Sequence, residues 1–163
     1  MIEYALIKTV HIGALILWLG PALGAWLVLR AIDQDNLTTD TTARGVVRIF
    51  YSTVVLEHIA FLVLIGSGTL LALNFDFWGS EWLQQKLLIL LIAIIPLEII
   101  DIYLGNWVAM KASSKIANNI DPTSWEKKGL SIYHGIFTKI ALSIIPVAVT
   151  GIIFLAAGKS PIF

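Results

Sequence analysis

Cysteine is absent from this 163-residue chain, which excludes disulfides, thiolate metal sites and a cysteine nucleophile. Charge is scarce too. Only 13% of residues are charged, against about 25% in soluble domains. Eleven basic and eleven acidic side chains cancel, so nothing in the balance points to nucleic acid or a polyanionic substrate as a partner. What fills the chain instead is apolar: 58% of residues are hydrophobic and the mean hydropathy is +0.86. A soluble fold of this length hides only about 70% of the surface its unfolded chain exposes, so the excess would remain as large apolar patches. The expected cover is a lipid bilayer.

Four apolar stretches, near residues 4–29, 46–73, 82–110 and 130–157, each reach the roughly 20 helical residues that span about 30 Å of hydrocarbon. The first has no basic segment before it and runs past any small-residue cleavage site, so it reads as a retained helix and not a signal peptide. Pro21, Pro96 and Pro146 interrupt three of the four, which predicts local kinks. The expected fold is all-α: one transmembrane domain over residues 1–163, a four-helix bundle. Connections 31–44 and 111–128 read as long polar loops and 74–81 as a short aromatic one, with Trp78 and Trp82 placed for an interfacial belt. Arg30, Arg44, Arg48, Lys111, Lys115, Lys127 and Lys128 gather on the long-loop side; Lys159, Lys8 and Lys86 lie on the other. The positive-inside rule then predicts a multi-pass protein of the bacterial cytoplasmic membrane with both termini outside.

Ionisable groups within spans are costly and mark pathways or sites. Two layers of them are expected. The outer layer holds Lys8, Lys86 and His11, with Trp18 farther along the face of His11. Snorkelling lysines and a carbonyl-bonded core histidine are the bland reading of this layer; a ligand role for His11 is the sharp one. The middle layer holds Glu57, His58, Glu98, Asp101 and Lys139. Carboxylates there must be protonated, paired or metal-bound, and an interhelical ion pair of Glu98 or Glu57 with Lys139 is the bland alternative to a proton relay or metal site. His134 reads as interfacial. Gly13, Gly20 and Gly24 form a small-residue stripe suited to packing within the monomer, with Gly66, Ser67 and Gly68 as its receiver, or to a homodimer face.

Histidines on different apolar helices suit haem b, with His11 the first axial (metal) ligand, His58 the second, and Lys8 and Lys86 at the propionates. The two histidines stand about eight residues apart in depth, an offset of about 12 Å, which only a strong tilt would close. Glu98, Asp101 and Lys139 would handle the accompanying protons as catalytic groups. The competing chemistry is proton or divalent-cation movement through the middle layer. A third reading is a packing subunit with no chemistry of its own.

Lys8-x-x-His11-Ile12 followed by Trp18 and Gly20, and Trp82-Leu83-x-x-Lys86-Leu87, resemble two patches of the HemJ-type family of four-helix membrane proteins and its uncharacterised relatives. The resemblance implies a haem or porphyrin ligand near His11, with Lys8 and Lys86 on its carboxylate substituents; the expected function is then a haem-dependent oxidoreductase in electron transfer or porphyrin redox chemistry, with a quinone or porphyrin as its small-molecule partner. The family's third helix usually carries a histidine toward its far end; here that region reads Glu98-Ile-Ile-Asp101.

Overall fold

A computed structural model describes residues 2–30 and 41–161. Four long helices account for nearly all of them: α1 Ile2–Arg30, α2 Thr41–Asn74, α3 Glu81–Ala117 and α4 Ser124–Gly158. All four are long and apolar enough to cross a membrane. Their outward faces carry Leu62, Trp107 and Val147, each about 70% exposed, a surface that lipid covers and water would not. The chain thus has the form of a multi-pass membrane protein.

Tyr4 packs edge-on against Phe75, and Lys159 lies over the Phe77 ring, so the start of α1, the α2–α3 turn and the end of α4 share one end of the bundle. Asp76 turns that corner with a φ of 53°, a left-handed conformation that Asp tolerates better than most residues. The opposite end collects Arg30, Arg44, Lys115 and Glu126.

That end departs from the expected long loops. Residues 41–44 and 111–117 are helical, and α4 starts at Ser124, which leaves only residues 118–123 between α3 and α4. The cause is local chemistry. Asn119 adopts φ 57°, while the Asn119 and Ile120 amides donate to the Ile116 and Lys115 carbonyls, closing α3 in a Schellman motif. Thr123 then opens α4 with a reciprocal capping box to Glu126. The rest of the first long connection lies outside the described residues.

Three stretches widen to π-helix: Leu90–Ile94 and Ile102–Ala109 in α3, and Tyr133–Phe137 in α4. Pro96 explains the first, because it offers no amide to the carbonyl four residues earlier. In the third, the Thr138 hydroxyl donates to the Tyr133 carbonyl five residues back. Pro21 and Pro146 sit inside continuous α-helix.

Two apolar clusters fill the interior. One, around Leu29, Val47, Phe50, Tyr51, Ala109 and Phe137, occupies the end with the α3–α4 turn. The other, around Ala14, Trp18, Phe61, Leu64, Ile94 and Val149, occupies the opposite half. Between them on α2 lie Glu57 and His58, and on α3 Glu98 and Asp101. Close approach of α3 and α4 is secured by small residues: Gly129 seats Val108, and Ala109 and Ala112 are wholly buried. The expected stripe on α1 does not work this way. A Cβ on Gly13, Gly20 or Gly24 would meet nothing within 4 Å, so none of these positions needs a glycine to fit the packing among the described residues. Gly68 receives an imidazole in their place, with His11 Cε1 3.0 Å from where its Cβ would stand.

Candidate functional site

The middle layer assembles from three helices. Glu57 and His58 on α2 and Glu98 on α3 are all buried, and Asp101 is one turn beyond Glu98, on the same face. His58 Nε2 lies 3.7 Å from Asp101 Oδ2 and 3.9 Å from Glu98 Oε2. On the ring's other side the Asn106 amide is 3.1 Å from Nδ1; with Asn106 donating there, the proton of neutral His58 resides on Nε2, facing both carboxyl groups. Trp18 on α1 donates its indole N–H to Glu98 Oε1 at 2.9 Å and packs against Phe61.

The layer is crowded with unanswered polar atoms. Glu57 Oε1, His58 Nε2, Glu98 Oε2, Asp101 Oδ1 and Asn106 Oδ1 are buried without a hydrogen-bond partner. Buried polar atoms normally find partners, so a concentration of exceptions singles this layer out within the bundle. An imidazole with a carboxyl group on each of two residues less than 4 Å from its Nε2 can exchange a proton with either by a small rotation or through one intervening water. Among the described residues no three His, Asp or Glu side chains are arranged to hold a metal ion.

From this layer polar groups continue toward the α3–α4 turn. Tyr133, at the start of a widened turn, is buried with its hydroxyl 2.8 Å from where a Gly105 Cβ would stand, and it interacts electrostatically with Asp101 and Glu57. Its ring packs edge-on against His134, 5.2 Å between centroids. His134 Nε2 is 3.2 Å from the Tyr51 hydroxyl, which is 3.0 Å from Ser113 Oγ. Tyr51 and Ser113 line a cavity of about 560 Å³ that opens beside Arg44 and Arg48. His134 is therefore interior, not interfacial, because α4 begins well before it and carries it nearly three turns inward.

No family model, curated protein or solved structure matches the chain. The site therefore stands on its own geometry.

The outer layer is separate. His11 Nδ1 lies 3.0 Å from the Leu64 carbonyl and 3.1 Å from Ser67 Oγ. Ser67 spends its one hydroxyl proton on the Val63 or Leu64 carbonyl, so Nδ1 is the donor and the lone pair of neutral His11 is on Nε2. Lys86 is close enough to act on this ring electrostatically. Lys8 is exposed and stacks over Tyr4, 5.6 Å from the ring centroid. His11 meets α2 at Leu64–Gly68, six to ten residues from His58, a separation of roughly 9–15 Å along the helix axis. Two ligands of one metal stand within about 4 Å of each other, so the structure does not bring His11 and His58 together on one iron.

Lys139 is also outside the site. It lies on the exposed face of α4, and none of the ion pairs among the described residues includes it. Its depth matches Glu98, but its direction around the helix is wrong for a pair. Trp18 as a partner of Glu98, and Asn106, Tyr133, Tyr51 and Ser113 as site residues, were not foreseeable as polar neighbours from depth alone. A run of hydroxyl and amide residues in otherwise apolar α3 and α4 is the one signal the sequence offers for them.

Proposed function

We propose that the chain is a proton-conducting protein of the bacterial cytoplasmic membrane, with both termini outside. The observation that carries this reading is His58 Nε2 facing the Glu98 and Asp101 carboxyl groups within 4 Å, midway along the bundle and between two apolar clusters. Glu98, Asp101 and His58 hold and pass the proton, Glu57 adds a fourth acceptor at the same level, and Asn106 fixes the His58 ring. The Asp101–Tyr133–His134–Tyr51–Ser113 succession supplies access from the end bearing Arg44 and Arg48. The concentration of Arg30, Arg44, Arg48, Lys111, Lys115, Lys127 and Lys128 at that end supports its assignment to the cytoplasmic side.

The test is proton uptake into proteoliposomes driven by a potassium diffusion potential and read by an internal pH dye. Gln at position 98 keeps an oxygen to accept the Trp18 bond but cannot carry a proton. Glu98→Gln is therefore expected to lower uptake at least tenfold while the protein remains folded; wild-type uptake in E98Q overturns the reading.

His11 supports a second reading, a haem b protein in electron transfer or porphyrin chemistry with similarity to HemJ-type proteins. Its Nδ1–H is held by the Leu64 carbonyl, the arrangement that orients an imidazole for ligation through Nε2. His11 alone would hold the iron, and Lys86, whose charge acts on the His11 ring, would meet a propionate. Haem would supply one-electron redox chemistry when bound. A Soret band and a positive pyridine haemochromogen assay that both vanish in His11→Ala are its expected signature; colourless wild-type protein purified from haem-replete cells removes it.

A further inference from the structure

The cavity at the basic end is a half-open groove between the first turns of α2 and the last turns of α3, with a volume of about 560 Å³. Its lining is of two kinds. Val47, Val55 and Met110 give the lining apolar surface, and Arg44, Arg48 and the Ser113 hydroxyl, interleaved with them along α2 and α3, give it polar surface. Arg44 and Arg48 are four residues apart, hence neighbours on one face of α2, and both are exposed. Tyr51 and Ser113, each 4% exposed, close the inner wall.

Of the other basic residues of this end, Lys128 is exposed on α4 and does not line the cavity, and the rest are already engaged. Lys111 and Lys115 face Glu126, Lys127 faces Asp121, and Arg30 lies over Trp26. Among the described residues neither Arg44 nor Arg48 has a carboxylate within ion-pair distance. Two adjacent guanidinium groups present paired N–H donors in a planar fork that fits the oxygens of a phosphate group. The hydroxyl groups at the inner wall add donors of the kind that fix orientation, and the apolar surface accommodates a hydrocarbon.

We propose that this cavity binds a phosphate monoester, taken from a lipid or free in solution, through Arg44 and Arg48. The proposal is independent of the proton reading, although Tyr51 and Ser113 belong to both, because it concerns binding and needs no flux.

The test uses the full chain purified in detergent and titrated calorimetrically with three probes: dioctanoyl phosphatidic acid, dioctanoylglycerol and inorganic phosphate. Saturable binding of phosphatidic acid with at least tenfold weaker binding of dioctanoylglycerol is expected. R44Q/R48Q is expected to weaken phosphatidic acid at least tenfold with an unchanged melting temperature, since both side chains are exposed. R44K/R48K keeps the charges but not the forks and is expected to fall between. Inorganic phosphate that fails to compete at millimolar concentration supports a lipid source, whereas equal affinity for it supports a free one. Absence of saturable binding by both phosphate probes, equal binding of dioctanoylglycerol, or affinity unchanged in R44Q/R48Q overturns the proposal.

Discussion

Glu98 and Glu126 are both buried glutamates, 4% and 6% exposed, yet their surroundings are opposite. Glu126 receives Lys115 on both carboxylate oxygens at 2.8–2.9 Å, with the Thr123 amide on one of them at 2.7 Å and Lys111 nearby at 3.7 Å. Its charge is answered several times over by groups within fifteen residues. Glu98 has one oxygen answered, by Trp18 from another helix, and the second has no hydrogen-bond partner. The first arrangement anchors a turn. The second leaves acceptor capacity in the interior, which is the property the proposed proton path requires of Glu98.

Four substitutions sharpen that contrast. The largest effect is expected from Asp101→Asn, which keeps the shape of the side chain facing His58 but removes its proton chemistry; proteoliposome uptake should fall at least tenfold, with little change in thermal unfolding. Gly105→Ala comes next. A Cβ there would stand 2.8 Å from the Tyr133 hydroxyl, and since Tyr133 is buried the ring must shift, at a cost of about 1–3 kcal/mol; both a lower unfolding midpoint and slower uptake are expected. At the anchored glutamate the pattern inverts. Thr123→Ala removes the helix cap and should cost about 1 kcal/mol of stability, measured by thermal or denaturant unfolding in detergent, with uptake unchanged. Smallest of all, Lys139→Leu should leave uptake within twofold of wild type, because Lys139 lies on the outward face and meets neither Glu57 nor Glu98; a tenfold loss would put Lys139 back with Glu57 and Glu98.

The four spans were legible in the sequence because hydrophobic run length alone defines them. The depth of Glu57, His58, Glu98 and Asp101 was legible for the same reason: counting at 1.5 Å per residue from span ends places them at one level. Span ends were less so. The Lys111–Ala117 and Ser124–Gly129 regions look like loop by polarity, yet Ala112, Ser113 and Gly129 are buried, and a helix with one buried face need not be apolar overall. Direction around the helix was the hardest to read. Lys139 has the right height and the wrong bearing. Asn106 and Tyr133 reach the site from widened turns, and regular 3.6-residue counting has no means of anticipating the resulting rotation. From sequence His11 reads both as a carbonyl-bonded core residue and as a ligand; its bond to Leu64 satisfies the first description and is compatible with the second.

The widened turn at Ile102–Ala109 has an evolutionary implication. A single residue accommodated in such a bulge rephases everything after it by about 100°, one step of a regular helix. Asn106, close to His58, and Ser113, at the cavity wall, therefore owe their bearings to how many residues follow Asp101 as much as to which ones. Along this stretch an exchange of apolar side chains would be forgiven, while the loss of one codon would swing Ser113 out of reach of Tyr51.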